Sequence, residues 1–182
     1  MRTREYSHPA LSEFAAIAAA FCEAVANVDH RTPEAQLGKI HRLLPLAYSA
    51  ALQLPDTSVL FNTHDDSADQ EPNAARLAFP PPQGLDQLAT FLGMRRFYRE
   101  VFDPYAEPAD GEVAGDIIGD LADIYCDLQR GLVHWRSGTS GEALWEWRFN
   151  FQAHWAEHAT SALRAIFALS AWNDVPWPTG AG

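Results

Sequence analysis

The chain has 182 residues, 47% of them apolar, and a formal net charge of −11 at pH 7. That length suits one domain, 1–182, with a real hydrophobic core. The acidity excludes a nucleic-acid-binding surface of the usual basic kind and leaves room for a basic protein partner.

Leu and Ala are abundant while Val, Ile and Thr are sparse, which favours helix over strand. The expected fold class is all-α, a bundle of about five main helices. The two cysteines, Cys22 and Cys126, sit inside helical patterns, and no CxxC or Cys/His zinc spacing exists. Buried reduced thiols in a cytoplasmic protein are the expectation. No run of 18 apolar residues occurs, and Glu5, Glu13 and Glu23 interrupt the Ala-rich start. Neither a membrane span nor a signal peptide is expected.

The first predicted helix covers 9–28, with Pro9 in its first turn. Leu11, Phe14, Ile17, Ala18, Phe21, Val25 and Val28 form one face. Thr32 and Pro33 open a second helix reaching about Leu54, with Pro45 expected to kink it. Residues 55–84 form a long acidic and Pro-rich break, with Asp56, Asp65, Asp66, Asp69, Glu71 and then Pro80, Pro81 and Pro82. Its polar composition predicts a mobile loop. The run from His64 to Asp69 lacks the glycine and the twelfth-position glutamate of an EF-hand.

A short helix is predicted over 85–92, ending at Gly93, and another helical turn or two over 94–102. Arg95, Arg96 and Arg99 cluster there as natural partners for a carboxylate row. That row lies on the next predicted helix, 112–137. Asp116, Asp120, Asp123 and Asp127 follow i, i+4, i+7, i+11 and fall within roughly 60° on one face. Asp is a poor helix former, and like charges at i, i+4 repel. A solvated face would more naturally use Glu and Lys, so the row points to a ligand, a cation or an Arg cluster.

Residues 139–171 read as one long helix. Thr139 and Glu142 fit a capping box, and Gly138 fits the left-handed end of the preceding helix. Leu144, Trp147, Phe151, Trp155, Ala162, Ile166 and Leu169 form a stripe with His158 in its middle and Arg148 and His154 on its edges. Trp145 and Phe149 lie on another side, so the helix is expected to be central. His158 is expected to be mostly buried, with a carboxylate or carbonyl partner from a neighbouring helix and Arg148 close by. An extended tail, 172–182, carries Trp172 and Trp177.

The blocks G-D-L-A-D-I-Y-C-D-L-Q-R-G-L and E-A-L-W-E-W-R-F-N-F-Q-A-H-W-A-E-H-A-T-S-A-L-R-A, with Y-R-E-V-F-D-P-Y as lead-in, resemble a bacterial family of domains of unknown function, the one numbered 5063. The resemblance runs from about His41 to Leu169. It implies a small all-helical domain and brings no activity, cofactor or catalytic residue with it.

No phosphate loop, G-x-S-x-G elbow or H-E-x-x-H is present. No catalytic set or cofactor is expected, and the enzyme question stays open. The leading reading is a non-enzymatic helical domain acting through protein or ligand contacts, with neither nucleic acid nor membrane as partner. The alternative is a metal-binding or metal-dependent bundle using Asp120, Asp123 and Asp127 with His154 and His158. Against it, Glu146 lies about 80° from His154 on a regular helix, and no metal is expected. A second alternative, a ribonuclease of the Arg–His helical type, needs Arg148 and His154 together; a regular helix sets them about 120° apart. The candidate polar cluster is Asp116, Asp120, Asp123, Asp127, Arg148, His154 and His158.

Overall fold

The computed structural model describes residues 8–29, 31–57, 79–101, 105 and 113–172. The acidic stretch 58–78, with the His64–Asp69 run, and the tail 173–182, with Trp177, lie outside the described residues.

Helix α1, Pro9–Ala26, starts where Pro9 presets φ and His8 Nδ1 accepts the Ala10 N–H at 3.2 Å. By length and composition α1 is apolar enough to cross a membrane. Here Leu11, Phe14, Ala18, Phe21 and Val25 are fully buried, and the helix packs against α2 and α4. Helix α2, Pro33–Leu52, runs through Pro45 without ending there. The Gln36 amide donates to Ala24 O at 2.6 Å and ties the start of α2 to the end of α1. Helix α3, Gln83–Leu92, follows Pro82. Gly84 lies against the α1 backbone, where a Cβ would overlap Val25 O, so only glycine fits.

Of the helical turn or two the sequence suggests after α3, one short turn is present and the rest is strand. A 3-10 turn, Gly93–Arg96, leads into strand β1, Phe97–Glu100. Strand β1 pairs antiparallel with β2, Val113–Asp116, with Phe97 opposite Asp116 and Glu100 opposite Val113. The residues alternate: Phe97 and Arg99 face out, Tyr98 and Glu100 face in. Aromatic side chains suit such a half-buried pleat. Gly115 faces Tyr98 across the ribbon, and any side chain there would overlap the Tyr98 ring.

Helix α4, Ile117–Arg136, therefore starts later than residue 112. Asp116 is its N-cap and accepts the Ile118 N–H at 3.0 Å. At its far end Gly138 takes φ 81, the left-handed turn its position suggests. The capping box does not form. Thr139 Oγ1 donates to His134 O at 3.1 Å, and the Glu142 carboxylate meets His134 Nδ1 at 3.1 Å. Both side chains clamp the corner rather than cap the next helix.

The stretch 139–171 is helical throughout but not one regular helix. Helix α5, Ser140–Asn150, passes through a π turn, Phe151–Trp155, into α6, Ala156–Trp172. Trp147 and Trp155 are both fully buried, and the Phe14 ring packs edge-on to Trp147 at 5.0 Å. Trp145 and Phe149 stack on each other at 5.0 Å, with Phe149 exposed, so that side is not buried. The central role is shared with α4, which packs against α1, α3, α5 and α6. Gly131 on α4 lets the Trp147 side chain of α5 approach the helix closely. A Cβ there would overlap the Trp147 indole, whose Nε1 donates to Leu128 O at 3.0 Å. The protein is an all-α bundle, and the described residues form five main helices, α5 and α6 making up the fifth, with one small ribbon.

Candidate functional site

The carboxylate row of α4 does not face water along its length. It faces the π turn and α6, and two of its members are buried: Asp127 is 1% exposed and Asp120 6%. Each carboxylate has its own partner. Asp116 takes both Nε and Nη2 of Arg96, with Nε at 2.8 Å. Asp120 accepts from the Tyr98 hydroxyl at 2.6 Å and from His158 Nδ1 at 2.9 Å. Asp127 pairs with Arg130 and accepts from His154 Nδ1 at 2.7 Å. Asp123 lies near both histidines, its Oδ2 3.6 Å from His158 Nε2.

The π turn explains how both histidines reach this row. A π turn closes on i→i+5 and acts as about one inserted residue. Glu146 to His154 then behaves as an i, i+7 pair, about 20° apart rather than 80°. Trp147 and Trp155 are realigned in the same way, which is why both are in the core. Beyond the turn the core stripe passes to Ala159, which is buried, and His158 moves to the rim. The His154 and His158 rings then stand edge-to-face, with centroids 4.8 Å apart.

Electrostatics follow the geometry. The Asp120 hydrogen bond raises the His158 pKa, against the lowering effect of burial, and Asp123 adds to the rise. Burial raises the Asp127 pKa despite His154 and Arg130. Burial, then Asp120, pushes the Tyr98 phenol well above the usual range. Beside Asp120 lies a hollow of about 190 Å³, lined among others by Tyr98, Glu100, Glu157, His158 and Ser161.

The family model for a domain of unknown function (DUF5063) matches residues 6–171. The chain belongs to this family. Among solved structures, the DUF5063 chain is similar to protein BF1032 from Bacteroides fragilis at 20% identity. That match covers 92% of this chain and 99% of the other, with a TM-score of 0.67. The likeness is one of fold. No curated protein matches this chain.

In this DUF5063 chain, the structure gathers six of the seven residues of the expected polar cluster. Arg148 is the exception: among the described residues it joins neither His154 nor the carboxylate row. Across the π turn its spacing to His154 behaves as i, i+5, about 140° apart, wider still than the regular helix gives. The Arg–His pair that a ribonuclease reading needs is therefore not assembled. His158 has the expected carboxylate partner and is mostly buried, its side chain 26% exposed, but it lies at the rim of the core rather than within it. Of the arginines near residue 95, Arg96 serves the row, whereas Arg95 turns to the Phe91 and Leu92 carbonyls. Sequence reasoning missed Tyr98 and Arg130. The i, i+3 spacing of Asp127 and Arg130 was the available signal for Arg130; Tyr98 had none.

Proposed function

We propose that this chain is a non-enzymatic binding domain whose ligand is a cation, held at the open edge of the seam between α4 and α6. One observation carries the reading: two buried carboxylates are spent on orienting two partly exposed histidines around a third carboxylate. The side chains of His154 and Asp123 are 46% and 47% exposed, those of Asp127 and Asp120 only 1% and 8%. Asp123 has no Arg or Lys partner among the described residues. Buried ion pairs are weak contributors to stability and are often replaceable by apolar residues, so stability alone does not account for the arrangement. Clusters of carboxylate and imidazole with perturbed pKa are features of functional sites.

The test is thermal unfolding of chelator-treated protein against magnesium, calcium, manganese, zinc and putrescine, with Asp123→Asn beside it. Binding to the native state raises the melting temperature by mass action. At least one cation should raise it for the parent and not for the variant. No shift with any of the five would overturn the reading.

A further inference from the structure

We propose that the cation is a first-row transition metal of the zinc class, held by Nε2 of His154, Nε2 of His158 and the Asp123 carboxylate. This rests on the cation reading above and goes beyond it in naming donors and metal class.

The first support is the direction of the imidazoles. Each histidine meets a buried aspartate through Nδ1, His154 at 2.7 Å and His158 at 2.9 Å. In the neutral ring, with Nδ1–H donated inward, Nε2 keeps its lone pair. That is the arrangement of metal-binding histidines, whose other ring nitrogen is held by a carboxylate that fixes the tautomer and raises ligand basicity. The seam contains it twice, on adjacent turns.

Spacing is the second support. One ligand atom from each of Asp123, His154 and His158 lies within 4.8 Å of the others. Tetrahedral bonds of about 2.0–2.1 Å require donors about 3.4 Å apart. The His158 Nε2 to Asp123 Oδ2 separation is already 3.6 Å. Asp123, half-exposed and without an Arg or Lys partner among the described residues, can turn toward the two imidazoles to close the remaining ångström. The anchoring carboxylates, locked in the seam, need not move.

The donors set the chemical class. Two imidazoles with one carboxylate suit zinc, copper, nickel or iron, whereas magnesium and calcium take oxygen ligands in larger number. Three protein donors leave a fourth position to water. Independently, the π turn that carries His154 toward α4 is a device found often at functional sites.

The experiment titrates zinc into chelator-stripped full-length protein, with magnesium and calcium as competitors. Cobalt substitution gives a second readout, the visible absorption of tetrahedral Co(II). The expected result is one zinc per chain and at least a tenfold loss of affinity in Asp123→Ala and in His154→Ala. A loss of about 10–100-fold is expected in Asp127→Asn, which is not a donor itself but weakens the hydrogen bond that holds His154, along with the Arg130 pair. Asp123 is half-exposed and has no Arg or Lys partner among the described residues, so Asp123→Ala keeps the fold and its result is decisive. Zinc affinity unchanged in Asp123→Ala and His154→Ala, or magnesium bound as tightly as zinc, would overturn the proposal. A preference for magnesium or calcium would leave the cation reading standing, whereas no binding of any cation would remove both.

Discussion

Asp127 on α4 accepts the His154 Nδ1–H at 2.7 Å while its other oxygen pairs with Arg130 from the same helix. One buried carboxylate thereby joins two helices and anchors a partly exposed imidazole. Its removal and its replacement should have different consequences. Asp127→Ala leaves His154 and Arg130 without their acceptor and opens a small cavity. We expect a loss of about 2–4 kcal/mol, since breaking a buried pair from one side is costly. The double change Asp127→Leu with His154→Leu removes the carboxylate and the imidazole together, leaves only Arg130 without its acceptor, and should recover part of that loss. Urea unfolding of both variants checks this. A double variant as unstable as the single one would make the pair a structural element and weaken the functional reading of the seam.

Two glycines of α4 should respond in opposite directions to alanine. Gly131 lies under the Trp147 indole, and a Cβ there forces the ring off its Leu128 hydrogen bond. Overpacking and a lost hydrogen bond together should cost about 2–4 kcal/mol. At Gly119 a Cβ meets nothing closer than Asp116 Cβ at 3.7 Å. Gly119→Ala should gain roughly 0.5–1 kcal/mol from helix propensity alone. Denaturant midpoints measured at constant slope decide both.

The helices were legible because their apolar residues recur at one period and their ends carry Pro9, Pro33, Gly93 and Gly138. The site was legible only in its members. The Asp row was visible as a stripe, but which way it faced depended on the rotation of the helix opposite. That rotation is set by a π turn, which leaves no mark in a pattern read at 3.6 residues per turn. The β1–β2 ribbon was hidden for another reason. Four-residue strands are too short for alternation to stand out beside the helical signal of α3 and α4. Tyr98, the Asp120 partner, was lost with it.

Tyr98 gives the seam a dependence on alkaline pH. Its folded phenol titrates well above the ordinary value near 10 because of burial and the Asp120 carboxylate. A group with a raised folded pKa contributes stability that is fully present below its unfolded pKa. That contribution falls as pH rises from there toward the folded pKa. The parent should therefore lose stability above about pH 10 more steeply than Tyr98→Phe, which has no phenol to ionise at this position. Below pH 9 the variant should be the less stable by about 1 kcal/mol, for the lost hydrogen bond. Parallel slopes for the two proteins between pH 9 and 11 would contradict this.

The π turn itself can be tested by deletion. If Phe151–Trp155 acts as one inserted residue, then removing exposed Gln152 turns it into ordinary helix. Trp147 before the turn and Trp155 after it keep their faces, because an i, i+8 pair becomes i, i+7. The fold should survive within about 1–2 kcal/mol. Deleting exposed Thr160, inside regular α6, has no such compensation. It rotates buried Ala162, Ile166 and Leu169 by about 100° off the core. The loss should exceed about 3 kcal/mol, on the scale of emptying several core positions. Thermal melts of the two deletions, with circular dichroism for helix content, make the comparison. Equal damage from both would mean that the five residues are strained helix rather than an insertion, and that His154 owes its place to something other than the turn.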